Sequence, residues 1–287
     1  MDFIRFVFAC MIMYGHLLGS LTAIYKGSDL LSQLKAMYAW SGLVVVFSFF
    51  IMSGFFLYYD LETFAKRQIC RLWPMLAFSF VPVILIGKYE KYSNTLNLFF
   101  ITSASGLMKR GSNNEASWYV CVLFIISLFF FYALRHFKWE KVAFSCGIIS
   151  LFGFIVRGIG TTSFYRGVPI ATMPFMINGM IEGLTGISFG ILLGAFLKNK
   201  LELKENVSCR KKILFTFFEM SALFYFVRYT CFHKTVGEFI FWEILFIILF
   251  SLFLFKKGFL SQVLNNKFCA WLGQLAYPIY LMHFRLP

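Results

Sequence analysis

The sequence predicts an all-α fold, a polytopic transmembrane helical bundle of about nine spans. Three observations carry that reading. Of the 287 residues, 60% are hydrophobic and only 14% charged, against about 25% charged in an ordinary soluble domain. Mean hydropathy is +0.75. Apolar stretches close to the ~20 residues that cross a hydrocarbon core recur along the whole length, so 1–287 is read as a single membrane-embedded domain with no separate soluble part.

The apolar windows fall near 3–20, 39–59, 72–87, 118–134, 142–157, 175–197, 213–228, 239–255 and 268–284. The first lacks a small-residue cleavage pattern, so it is expected to be a retained span and not a signal peptide. Pro74, Pro82, Pro169 and Pro174 stand where spans begin or bend. The stretch 96–108, "LNLFFITSASGLM", is too short and polar to span and is read as interfacial or re-entrant. The Lys and Arg residues cluster in the gaps, at 60–71, 135–141, 198–212 and 256–267. With Arg5, these put most of the 27 cations on one side if the N-terminus is cytoplasmic, which is the positive-inside pattern of a plasma (inner) membrane protein. That sorting accounts for the formal net charge of +14, and no nucleic acid partner is expected. The seven Cys include no CxxC and no metal-like Cys/His spacing. They read as small buried hydrophobes, with no metal site and no disulfide framework.

A few polar residues stand out against this background. In "FIRFVFACMIMYGH", residues 3–16, Arg5 and His16 are about three helical turns apart. They therefore leave one face of the helix, about 16 Å apart along its axis, and can line one groove. Arg5 can equally snorkel to the headgroups. His16 is either a core histidine bonded to a neighbouring helix or a group kept for chemistry, because ionisable residues in hydrocarbon are costly. Arg67 and Arg71, four apart in "FAKRQICRLWP", stack on one helix face in a manner suited to phosphate oxygens. The bland reading is topology signal and lipid headgroup contact. Ser53-Gly54 fits close helix packing. Trp118 and Tyr119, like Tyr277, Tyr280 and His283 near the end, fit an aromatic belt at the interface. Glu182, in the Gly-rich run "INGMIEGLTG", is an acid inside a span that either orients a His or caps a polar cavity.

Taken in order, "DFIRFVFACMIMYGH", "FSFFIMSGFFL", "FAKRQICRLWP", "SWYVCVLF" and "YPIYLMH" resemble the acyltransferase 3 family of integral membrane acyltransferases, many of which O-acetylate bacterial surface glycans. The likeness spans nearly the whole chain. It implies a ten-helix bundle that takes an acyl group, usually acetyl, from cytoplasmic acyl-CoA and delivers it to a hydroxyl of a carbohydrate or lipid-linked glycan acceptor. On that resemblance Arg5, Arg67 and Arg71 form the cationic mouth for acyl-CoA. His16 is then the catalytic base, or carries the acyl group itself, and Ser53, Trp118, Tyr119 and Glu182 support the site. No permanently bound cofactor is implied, since acyl-CoA, acetyl-CoA in the family's usual chemistry, is a donor substrate. The family continues past the "YLMH" segment with a further span, whereas this chain stops at "FRLP", 284–287. Nine spans with an outer C-terminus, and a weakened enzyme, are the expectation from that departure. The rival readings are a transporter or flippase, which the lack of visible internal repeats disfavours, and a truncated inactive relative.

Overall fold

The structure is a computed structural model that describes residues 1–25, 27–38, 41–79, 81, 117–164, 175–202, 208–232 and 239–282. Among these the ordered elements are all helices: α1 Asp2–Ile24, α2 Asp29–Tyr38, α3 Ser41–Tyr59, α4 Leu61–Ser79, α5 Ser117–His136, α6 Trp139–Phe164, α7 Phe175–Glu202, α8 Cys209–Phe232, α9 Phe239–Phe255, α10 Phe259–Val263 and α11 Lys267–Met282. A helix stands at each of the nine expected windows. Among the described residues, four segments are long and apolar enough to cross a membrane, Asp2–Thr22, Trp118–His136, Trp139–Val156 and Gly179–Lys198, and two shorter apolar helices, Val44–Tyr59 and Phe241–Phe255, accompany them.

Two local differences from the sequence reading have clear causes. The basic 60–71 stretch, read as a connecting loop, is helical from Leu61, and α4 runs on through Pro74. The Thr63 hydroxyl donates to the Asp60 carboxylate at 2.8 Å, and Glu62 lies in the first turn, where the helix dipole favours acids. Residues 82–87 of that window, and the 96–108 stretch, lie outside the described residues. The short helix α2 had no counterpart among the apolar windows because it is not a span. Its signal is local: Gly27 takes φ 101, a conformation open to glycine, and the Ser28 hydroxyl accepts from the Leu31 N–H at 3.4 Å, as a capping residue does.

The helices cluster into two units, Met1–Ser48 with Asn199–Pro287, and Phe49–Lys198. In the first unit, α1 packs most extensively on α11. Gly273 allows this, because a Cβ there would collide with Asp2. The core continues through rings: Phe8 stacks on Phe226 at 5.3 Å and meets Phe246 at 5.9 Å, and Phe246 stacks on Phe250 at 5.6 Å.

The same unit is tied together by one buried acid. Glu219 of α8 is 0% exposed and accepts from the backbone N–H groups of Gly258 at 3.2 Å and Ser261 at 3.1 Å. The Thr216 hydroxyl, one turn away, accepts from Phe259 N–H at 2.8 Å. Three donors at the start of α10 are therefore satisfied from α8, and Gly258 has no room for a Cβ because it would meet the Glu219 carboxylate. Glu219→Ala should leave two buried N–H groups unpaired, at about 1–3 kcal/mol each. Thermal unfolding in detergent should show the loss, with Glu219→Gln falling between; a wild-type melt for Glu219→Ala would refute the role.

The second unit is built on glycine. In bilayers apolar burial does not drive helices together, so close packing has to. Gly54 on α3 faces the Ile187 carbonyl of α7, and Gly190 on α7 faces the Ile51 carbonyl of α3; a Cβ at either position would collide with backbone. A Cβ at Gly194 would stand 3.2 Å from the Phe55 carbonyl oxygen. On the other side of α7, Gly153 of α6 makes room for Thr185. At the end of this crossing Tyr58 packs on Trp139 at 4.9 Å, with the Lys198 ammonium 5.8 Å from the Tyr58 ring.

Candidate active site

Arg5 lies one turn into α1, held by its own helix: Nη1 donates to Asp2 Oδ1 at 3.0 Å, with the two side chains 20% and 46% exposed. Such a half-exposed pair contributes little stability. The pair engages one Nη of a guanidinium that carries five donors. Met1 lies within electrostatic reach of Asp2, Arg5 and Lys256.

His16 sits about 16 Å further along the same helix, and its side chain is exposed. The helical period places it in the arc between Ile12 and Ala9, the side of α1 that is buried one turn below, where Ile12 is 2% and Ala9 0% exposed. Met13, Tyr14 and Leu17 around it are exposed as well. Packing on that face therefore opens at the level of His16. The strip between Arg5 and His16 is closed by Ala9 and Ile12, so the shared face is not an open groove along α1.

The other candidates belong to the second unit. Tyr119 is buried, with its ring 4.7 Å from Phe50 and 6.2 Å from Phe49; Trp118 is half-buried, 6.4 Å from Phe50. Gly179 of α7 faces the six-membered ring of Trp118, where a Cβ would stand 2.9 Å from it. Gly183 makes room for Val122, Ile126 and Phe50. Glu182, buried at 5% exposed, lies between these two glycines in sequence. Ser53 is half-buried on α3, three residues beyond Phe50 and next to Gly54. The helices α3, α5 and α7 thus meet around Phe50, Trp118, Tyr119, Gly179 and Gly183, and Ser53 and Glu182 lie on the adjoining stretches of α3 and α7. Arg67 and Arg71 lie four apart on α4, which packs on α5; their side chains lie outside the described residues. His283 also lies outside them, and Tyr277 and Tyr280 are buried on α11.

Sequence reasoning missed the residues that shape this crossing, Gly179 and Gly183. The signal was present: "GMIEGLTGISFGILLG", 179–194, spaces glycines at four-residue intervals three times, the small-xxx-small pattern of close helix contact.

An acyltransferase-domain family model matches residues 1–286. The chain belongs to the acyltransferase 3 family. No curated protein and no solved structure matches it. The protein is an integral membrane acyltransferase, and the reaction class states what its site must provide: a group to take a proton from the attacking nucleophile, and donors for the negative charge that develops on the carbonyl oxygen. An exposed imidazole deep along α1 is equipped for the first task. Indole N–H and phenol O–H groups are donors of the kind required for the second.

Proposed function

We propose that this acyltransferase moves an acyl group, acetyl in the simplest case, from cytoplasmic acyl-CoA to a hydroxyl of a surface glycan or its lipid-linked precursor in the bacterial inner membrane, with its N-terminus in the cytoplasm. The observation that supports this best is His16, an exposed ionisable ring carried deep along an otherwise apolar helix of a family acyltransferase. Its neutral ring takes the proton of the acceptor hydroxyl as that oxygen attacks the thioester carbonyl. The new C–O bond forms, the C–S bond breaks, and the proton passes to the departing CoA thiolate. Arg5, Arg67 and Arg71 bind the CoA phosphates through their guanidinium forks. Ser53, Trp118 and Tyr119 supply hydrogen bonds to the oxyanion, and Glu182 sets the polarity of their surroundings.

Mass analysis of surface glycans from cells with and without the protein tests this reading. One added acyl group per modified sugar, present only with the protein, is the expected result; identical glycan masses would refute it. Replacing Arg67 and Arg71 together with Gln should raise the acyl-CoA concentration needed for half-maximal rate by roughly tenfold or more, as lost charge-assisted bonds of about 1.5–3 kcal/mol require, while membrane insertion is retained. An unchanged donor dependence would remove both residues from the CoA site.

A further inference from the structure

We infer that Met13, Leu17 and Ile24 form the face that receives the acyl chain of the donor, and that the group transferred is a hydrocarbon chain longer than acetyl. This rests on the acyl-CoA reading above and names the class of acyl group its site selects. All three residues stand on α1 with His16, so their placement follows from one continuous helix. Met13 is three residues before the imidazole and Leu17 one after it, and Ile24 follows about two turns beyond His16. Residues 13, 17 and 24 recur at the helical period and share one face, which adjoins His16.

The face is open and apolar: Met13 is 39%, Leu17 43% and Ile24 58% exposed. An ordinary lipid-facing stretch has no use for an ionisable group, because placing one in hydrocarbon is costly. The exposed face of α6 formed by Phe144, Ile148, Leu151, Phe152 and Ile155 accordingly has no charged or histidine side chain between its first and last members. The open face of α1 does have one beside it, and therefore suits an occupant that joins a polar centre to a hydrocarbon tail. A partner at one ring nitrogen of His16 leaves the other for the proton.

The direction of the opening selects the donor's own chain. Towards Arg5 the strip is closed by Ala9 and Ile12, whereas away from Arg5 the apolar face continues for about 12 Å from His16 to Ile24. A chain that starts at the imidazole therefore lies towards Ile24. CoA phosphates held at the Arg5 end put the acyl chain on the far side of the thioester, which is this side. In a fatty acyl thioester hydrocarbon begins at the carbonyl itself, and Met13 and Leu17 flank His16 within one turn. A sugar hydroxyl, surrounded by other hydroxyls, gains nothing from such neighbours, and an acetyl group is too short to use the face.

The test uses the full chain in phosphatidylcholine nanodiscs and needs no acceptor. Equilibrium binding of radiolabelled acetyl-CoA and octanoyl-CoA is measured, with binding to empty nanodiscs subtracted. A fully buried methylene contributes about fourfold in affinity, and this face covers one side of the chain, so octanoyl-CoA should bind about tenfold or more tighter than acetyl-CoA. The Met13→Ser, Leu17→Ser variant should lose that preference. Met13→Trp with Leu17→Trp, which keeps the face apolar but fills the path of the chain, should lose it too. The matched Phe217→Ser, Phe224→Ser variant, on the exposed face of α8, should keep it. Equal affinity of the wild type for the two donors would overturn the inference and leave the acyltransferase reading standing. Equal loss of the preference in the α8 variant would assign it to membrane partition and overturn the inference as well. If neither donor binds above the empty nanodiscs, the acyl-CoA reading itself fails and the inference with it.

Discussion

His16→Ala should insert and fold like the wild type yet lose acyl transfer by about 10²–10⁴-fold, the usual contribution of a positioned base. Folding should survive because the ring is exposed, and substitutions at exposed sites usually change stability by less than about 0.5 kcal/mol. His16→Gln adds the sharper test: it keeps a polar side chain of similar reach but cannot accept a proton at neutral pH. It should be as inactive as the alanine variant. Glycan mass analysis alongside membrane-fraction immunoblots reads both quantities. A well-expressed His16→Ala protein that still acylates would assign the base elsewhere.

Gly54→Ala and Gly190→Ala should each cost about 1–3 kcal/mol or more of stability. Alanine favours a helix over glycine by about 0.5–1 kcal/mol, so intrinsic propensity predicts the opposite sign. The tertiary contact wins because each new methyl would meet a carbonyl of the facing backbone, and backbone cannot rotate aside as a side chain can. The two helices must move apart instead. One separation relieves both collisions, so the double variant should cost clearly less than the two single costs added together. Gly147→Ala on α6 is the control: no atom lies within 4 Å of the added carbon, and helix propensity should act alone, leaving stability equal or slightly raised. Unfolding midpoints in one detergent compare all four. A melt for Gly54→Ala as high as that for Gly147→Ala would show that the α3–α7 contact is looser than drawn.

The candidate site was legible to different depths. Arg5 and His16 announce themselves because ionisable groups in an apolar run have few neighbours in sequence to explain them, and helical periodicity then puts them on one face. The four-residue spacing of Arg67 and Arg71 was legible as well, although composition alone made their segment look like a loop. The setting of Trp118 was not legible. An aromatic at a span end reads as an interfacial anchor, and only the approach of Gly179 and Phe50 turns it into part of a three-helix crossing. The role of Glu219 was invisible for the same reason, since its partners lie 39 and 42 residues away.

By itself the amino-acid sequence determined that this chain is a helical membrane protein, where most of its spans lie, and which family it resembles. Hydropathy and the 3.6-residue period are local properties, and the bilayer leaves a backbone no other way to satisfy its polar groups within one segment. Only the tertiary structure decided that Ala9 and Ile12 close the strip between Arg5 and His16, that Gly54 and Gly190 lie against opposing carbonyls, and that Glu219 clamps a distant turn. Each of these depends on which helix faces which, and that is fixed by the fit of surfaces far apart in the chain.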